Sequence, residues 1–227
     1  VGILYSLITL HLGFDFNADE YKTMGLAPYG DPNKYLSEFE SLIEFNDDGS
    51  YKLNLLQPET TDLGRETYSE TRKFLNELFF EARDEKDELE QKHYDLAATL
   101  QMMTNRVMCH LVSKMMQRTG NKSLCLAGGV ALNCVSNEYI LRLPEVEEVF
   151  IQPASGDDGT ALGAALLINE KQGEGRVEMN MPYWGPSSSL ESCKKAWVES
   201  AGEKLSSAEY RSIKDTADRI AKLISEG

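Results

Sequence analysis

Positive charge is scarce in this sequence: 23 Lys and Arg stand against 37 Asp and Glu, a formal net charge of −14 over 227 residues. A field of that sign repels nucleic-acid backbones and anionic membrane surfaces at long range, so neither is an expected partner. Local amides, helix dipoles or a bound cation can still hold a small anion over a few ångströms. Long apolar runs are missing as well. No stretch approaches the roughly 20 residues that cross a bilayer, no signal peptide is read, and a cytoplasmic setting is expected. Cysteine is sparse: Cys109, Cys125, Cys134 and Cys193 form no Cys-x-x-Cys, which leaves reduced core thiols on helices or a buried strand rather than disulfides. Histidine is limited to His11, His93 and His110, on three different predicted helices with no His-x-x-His or His-Glu pairing, so they read as packing or surface residues rather than a self-contained metal centre. Finally, there is neither a Gly-x-Gly-x-x-Gly nor a Gly-Lys-Ser/Thr, which argues against dinucleotide and Walker sites.

What remains is ordinary for a globular chain, with 41% hydrophobic and 26% charged residues. A fold of this length hides roughly 70% of the surface its unfolded chain exposes, enough for a core without staples. Ile3 to Leu12 is apolar on nearly every face and predicts a buried helix closed by Gly13. Asp19 to Asp31, punctuated by Gly25, Pro28 and Gly30, reads as a loop. Leu42 to Leu56 alternates around Asn46-Asp-Asp-Gly-Ser50 and predicts a hairpin with the glycine in its turn. A helix follows from Thr67 to Phe80 on the stripe Phe74, Leu75, Leu78 and Phe79, then a charged run from Glu81 to Lys92. A long helix spans Asp95 to Arg118, its methionines Met102, Met103, Met108, Met115 and Met116 read as core, with Gly120 as its cap.

Beyond it the order is a strand at Ser123 to Ala127, a helix from Ala131 to Leu143, a strand at Val149 to Gln152 and a helix from Asp158 to Lys171. Such alternation predicts an α/β fold, a parallel sheet covered by helices. Pro182 to Pro186 reads as a turn, and Leu190 to Ala201 and Ile213 to Glu226 as two surface helices. Val1 falls inside what reads as a helix, so a longer parent protein is expected.

Two strand-to-helix turns carry the chemistry. Gly128 and Gly129 follow the first strand and let a ligand touch backbone amides at a helix start, although glycines there also serve helix-strand packing. Ser155-Gly-Asp-Asp158 follows the second. It fits a Ser-x-x-Asp helix cap, and equally a carboxylate pair for a divalent cation, which prefers oxygen ligands. Spacing decides neither question.

Three segments together, Asp19-Glu-Tyr-Lys-Thr-Met-Gly-Leu-Ala-Pro-Tyr-Gly30, Leu126-Ala-Gly-Gly-Val-Ala-Leu-Asn133 and Pro153-Ala-Ser-Gly-Asp-Asp-Gly-Thr-Ala-Leu-Gly163, resemble the ATP-dependent O-carbamoyltransferases. That family includes the nodulation-factor, cephalosporin and tobramycin carbamoyltransferases. The resemblance runs from Val1 to about Leu223. It implies an actin-like, ribonuclease-H-like ATPase fold, here partial, with helical additions and a β-hairpin. Residues 1–175 would be the second lobe of a nucleotide-binding domain like that of the threonylcarbamoyladenosine enzymes. Residues 176–227 would lead, as linker and helices, to an absent synthase-like C-terminal domain.

By the same resemblance Gly128, Gly129, Val130, Asn133 and Gly156 contact ATP, Lys22 supplies charge to a phosphate, and Asp157 ligates iron, manganese or magnesium. Asp158 matches a variable position. The implied reaction joins ATP and carbamoyl phosphate into a carbamoyl adenylate and passes the carbamoyl group to a hydroxyl of a sugar, antibiotic or similar acceptor. The metal-binding histidines of the family precede Val1, so the 227 residues alone are expected to be inactive. The alternatives are an actin-like kinase for a sugar or small acid, told apart by its products, and a non-catalytic nucleotide-binding scaffold.

Overall fold

A computed structural model describes residues 1–175, 177, 185–201 and 213–226. The chain divides into two units, Val1–Val177 and Glu178–Gly227. The architecture is mixed α/β, mostly helical, with two small sheets.

The first unit is organised by two helices. The first, α1 (Gly2–His11), buries Leu4, Leu7 and Ile8 completely or nearly so, with Leu12 just beyond its end. After α1 come α2 (Glu20–Leu26), α3 (Leu36–Leu42), the hairpin of β1 (Ile43–Phe45) and β2 (Tyr51–Leu53), α4 (Asp62–Thr67) and α5 (Ser69–Leu78). The long helix α6 (Gln91–Thr119) runs about 44 Å at 1.5 Å per residue. A capping box between Glu90 and His93 opens it and Gly120 closes it in the left-handed conformation.

The N-terminal half of α6 presents Leu96, Leu100, Met103 and Val107 to the main core, against α1, Phe39 and Leu42 of α3, Leu55 and Leu75 of α5. Its other half lies on a parallel pair, β3 (Ser123–Leu126) and β4 (Glu148–Ile151), joined by α7 (Cys134–Leu141). Val112 and Met116 meet Leu124, Ile140 and Val146 in a second, smaller cluster. One helix thus couples the core to the sheet. After β4 comes α8 (Gly159–Lys171); the second unit contains α9 (Leu190–Ala201) and α10 (Ile213–Glu226), the two tail helices expected from sequence.

Several expectations are corrected. The segment Asp19 to Asp31 is helical: α2 is followed by a 3-10 turn at Ala27–Tyr29. Gly25 faces open space, so it does not break the helix, and Pro28 sits in the first turn of the 3-10 segment, where its missing N–H is not needed. The helix expected from Thr67 to Phe80 is α5, and a short helix not expected from sequence, α4, precedes it across Tyr68, which turns left-handed at φ 54°. The helix expected from Ala131 starts only at Cys134, after a 3-10 turn at Gly129–Leu132.

The sheet is covered by buried side chains on one face only. Leu124 and Val149 face α6 and α7, whereas Cys125 and Phe150, paired in register, are exposed, and α8 buries none of its residues. The cysteines are free but not core thiols: Cys125, Cys134 and Cys193 are exposed and Cys109 is half-buried. His93 and His110 share α6 rather than lying on separate helices, and Met115 is exposed rather than core. Most of the expected turn from Pro182 to Pro186 lies outside the described residues. Among the described residues no helix is long and apolar enough to cross a membrane.

Candidate functional site

Parallel strands end on the same edge, so the two glycine turns after β3 and β4 emerge side by side, the position where open α/β sheets receive ligands. The ladder continues past the strands through the Gln152 N–H, which donates to the Leu126 carbonyl at 3.2 Å. The Gly128 N–H then donates to the Ser155 carbonyl at 2.8 Å, tying one turn to the other.

Gly128 sits at φ +99°, ψ 157°, a conformation open in practice only to glycine. A Cβ built on Gly128 or Gly129 would meet nothing within 4 Å. Helix-strand packing therefore does not explain these glycines; their bareness leaves exposed backbone beside a cavity. Gly159 is the opposite case, since its Cβ would lie 2.0 Å from the Ala154 carbonyl. It is the close-packing glycine that lets α8 start directly under the second turn.

The Ser-x-x-Asp cap is not formed. Ser155 is buried and its hydroxyl donates to the Gln152 carbonyl, while Asp158 precedes α8 without a side-chain capping bond. Freed from capping, the exposed Asp157 and Asp158 both line a cavity of about 740 Å³. Gly129, Val130, Leu132, Asn133 and Gly156 contribute to the same lining, and Tyr5, Ser6, Asn17, Glu20, Tyr21 and Met24 come from α1, α2 and the loop between them. Six of the seven residues expected from sequence to touch nucleotide or metal are thus near one opening: Gly128 at its edge, and Gly129, Val130, Asn133, Gly156 and Asp157 in its lining.

Lys22 is not among them. Its amine bonds Asp19 at 2.8 Å and lies over the Phe14 ring, 5.7 Å from the centroid. That hydrogen bond pulls the Asp19 carboxyl below its ordinary range and raises the Lys22 ammonium. In the cavity itself none of the lining residues is Lys or Arg, and Glu20, Asp157 and Asp158 are all acidic. Glu20 is held on one oxygen, Oε1, by the Ser6 hydroxyl at 2.6 Å and the Asn17 N–H at 2.9 Å.

Asn133 accepts the Ser136 N–H at 2.9 Å as the N-cap of α7, and its amide pairs with that of Gln101 on α6. Tyr5 donates to Gln101 Oε1 at 2.9 Å, and burial pushes its phenol far above the ordinary value. Sequence reasoning missed this buried network of Tyr5, Gln101, Asn105 and Ser136. Its signal was present: Gln101 and Asn105, four residues apart, interrupt the apolar stripe of α6 where leucine or methionine would otherwise face the core.

The Gly128 N–H is taken by the Ser155 carbonyl, and the amides of Gly129, Val130 and Gly156 at the paired turns fit an anion. For a resident metal, Asp157 and Asp158 offer hard oxygen ligands, but no group of three or more His, Cys, Asp or Glu among the described residues is placed to hold an ion. These residues alone do not make a metal centre.

Residues 1–166 match the family described as the carbamoyltransferase N-terminus. The nodulation protein NolNO of Sinorhizobium fredii is 34% identical over 229 residues, covering 100% of this chain and 31% of the relative. Nodulation protein NolO of Bradyrhizobium diazoefficiens is 35% identical over 188 residues, 82% of this chain and 32% of its own length. An uncharacterized protein of Synechocystis is 33% identical across the whole chain, which spans 37% of it. The chain therefore spans about a third of the length of these relatives.

Proposed function

The chain belongs to the carbamoyltransferase N-terminus family, and from that premise we propose that it supplies the ATP-binding cleft of an O-carbamoyltransferase with an actin-like nucleotide-binding fold. The whole protein would hydrolyse carbamoyl phosphate to carbamate and phosphate, and a carbamate oxygen would attack the α-phosphorus of ATP to form a carbamoyl adenylate with pyrophosphate leaving. A hydroxyl of a sugar, antibiotic or similar acceptor would then attack the carbamoyl carbon, with AMP leaving. The observation that carries the nucleotide assignment is the pairing of the two turns. The Gly128 to Ser155 bond holds Gly128, Gly129, Val130 and Gly156 at one mouth, with open space above Gly128 and Gly129.

Backbone amides at such turns hold phosphate oxygens without a lysine. The acidic lining makes a divalent cation necessary, because three carboxylates repel a polyphosphate unless its charge is offset. Asp157 would take part in holding that cation, whether iron, manganese or magnesium, whose chemistry is charge compensation and polarisation of bound oxygens. Since these residues do not complete a metal site, the 227 residues alone are proposed to bind nucleotide without carbamoyl transfer.

Calorimetric titration of ATP with manganese into the chain tests this. Gly129→Val places its Cβ in the open mouth with no heavy atom within 4 Å, so it is expected to fold normally and to weaken ATP at least tenfold, about 1.4 kcal/mol. Equal binding by the variant, or none by the wild type with either ligand, refutes the assignment.

A further inference from the structure

We propose that Glu20 forms a sugar subsite in this cavity, its free carboxylate oxygen accepting the hydroxyl protons of a ribose or of a separate sugar substrate. The proposal rests on the nucleotide reading above and deepens it by naming what the wall made by α1 and α2 receives.

The two oxygens of this carboxylate are differently placed. Oε1 accepts the Ser6 hydroxyl at 2.6 Å and the Asn17 N–H at 2.9 Å, which fills both acceptor sites of that atom. Ser6 is buried, and Asn17 is left-handed at φ 59°, a state uncommon outside glycine. Oε2 accepts no hydrogen bond from a described residue. Among the described residues the sealed side-chain atoms without a partner are His11 Nε2, Asn137 Oδ1 and Glu145 Oε2, so the bare Glu20 Oε2 is reached by solvent, on a side chain that lines the cavity. Tying the loop after α1 to α2 takes one oxygen only. The other is fixed in place and open.

What can meet that oxygen follows from its charge. It repels phosphate, and with neither Lys nor Arg in the lining nothing on this wall offsets the repulsion. Nor is Glu20 part of a group of three or more His, Cys, Asp or Glu placed to hold a cation among the described residues. Hydrogen-bond donors remain, and in ATP and in a hydroxyl-bearing acceptor these are chiefly sugar hydroxyls. A hydroxyl on a carboxylate makes a short, strong bond, and in dinucleotide sites an acidic side chain takes a ribose hydroxyl in this way. The exposed ring of Tyr21, next in the chain and in the same lining, offers an apolar surface for the C–H face of a sugar.

The test compares ATP with 2′,3′-dideoxy-ATP, each with manganese, by calorimetry on the chain. It also follows the Asn17 backbone amide in ¹H–¹⁵N spectra, with each nucleotide and with methyl β-D-glucopyranoside. If Glu20 reads the ribose, the wild type should bind ATP about tenfold more tightly than the dideoxy form, and ATP should move the Asn17 amide further. In Glu20→Gln the amide oxygen keeps the Ser6 and Asn17 bonds, but no carboxylate oxygen faces the ligand. The ratio should then fall to about three, since a neutral hydrogen bond is about half as strong as a charged one. Taking a ratio cancels the uniform change in phosphate repulsion that loss of the charge brings. If Glu20 reads a separate sugar, the two nucleotides should bind alike, and the glucoside should shift and saturate the Asn17 amide in the wild type but not in Glu20→Gln.

A wild-type ratio near one with no glucoside response overturns the proposal, as does a tenfold ratio that Glu20→Gln leaves unchanged. Should Glu20→Gln not fold, equal movement of the wild-type Asn17 amide by both nucleotides, without a glucoside response, overturns it as well. Failure of the nucleotide reading is distinct: the wild type then binds neither nucleotide, and the glucoside titration alone decides whether Glu20 takes a sugar.

Discussion

Glycines of the two turns answer to different demands. Gly129 faces open space, whereas a Cβ on Gly159 would strike the Ala154 carbonyl 2.0 Å away. Gly159→Ala is therefore expected to destabilise the chain by about 1–3 kcal/mol and push the second turn from its place, as overpacking does. Urea denaturation alongside Gly129→Ala, expected to be near neutral, checks the contrast.

A second residue sets a pH dependence. Burial, and next the neighbouring His93, lower the His11 pKa to about 4. Its ring packs on Phe80 at 5.1 Å, and Nε2 has no hydrogen-bond partner. The unfolded chain takes up this proton near pH 6.5, the folded chain only near 4, so stability falls as pH drops through that window and then levels. The loss from pH 7 to 5 is about 2 kcal/mol. His11→Phe keeps the aromatic packing and should lose less stability between those pH values; an identical loss in urea titrations at both would show that His11 is not responsible.

At this scale the glycine turns were legible because their meaning is local: spacing alone places Gly128, Gly129, Gly156 and Asp157 at strand ends. Lys22 was not, because its direction depends on Asp19 one helical turn earlier, and a segment read as a loop hides an i, i+3 pair.

Among the elements, α1 depends on a residue from the charged run between Glu81 and Lys92. Arg83 Nε donates to the Leu12 carbonyl at 2.6 Å, and its other nitrogens reach the carbonyls of Gly13, Asp84, Glu85 and Asp87, with Phe14 against the guanidinium at 5.1 Å. The end of α1 and the loop to α6 are thereby one assembly. A lysine cannot span that fork, so Arg83→Lys should cost about 1–3 kcal/mol in denaturant unfolding; an unchanged midpoint would assign α1's anchoring to apolar packing alone.

Long, strongly periodic elements such as α6 and α1 were readable, since their apolar stripes repeat over several turns. The helical character of α2 was masked by Gly25, which lies within the helix, and by Pro28, which follows its end in the 3-10 turn. The division at Tyr68 has no signal in apolar spacing, because a left-handed tyrosine carries no special residue type to mark it.

Over the whole molecule, the parallel order of β3 and β4 followed from the alternation of strands and helices, and it is what places two turns at one mouth. Coverage of both sheet faces did not follow: alternation says that helices intervene, not that each buries a face, and α8 buries nothing. The cavity is also acidic where a nucleotide site was expected to offer a lysine, so under the proposed function charge compensation would fall to a cation.

The most direct measurement is a ¹H–¹⁵N NMR titration of the labelled chain with a non-hydrolysable ATP analogue and magnesium. The backbone amides of Gly128, Gly129, Val130 and Gly156 should shift together and saturate with one affinity. Shifts confined elsewhere, for example around Lys114 and Arg118 beside the hairpin turn, or none at all, would contradict a nucleotide cleft between the paired turns.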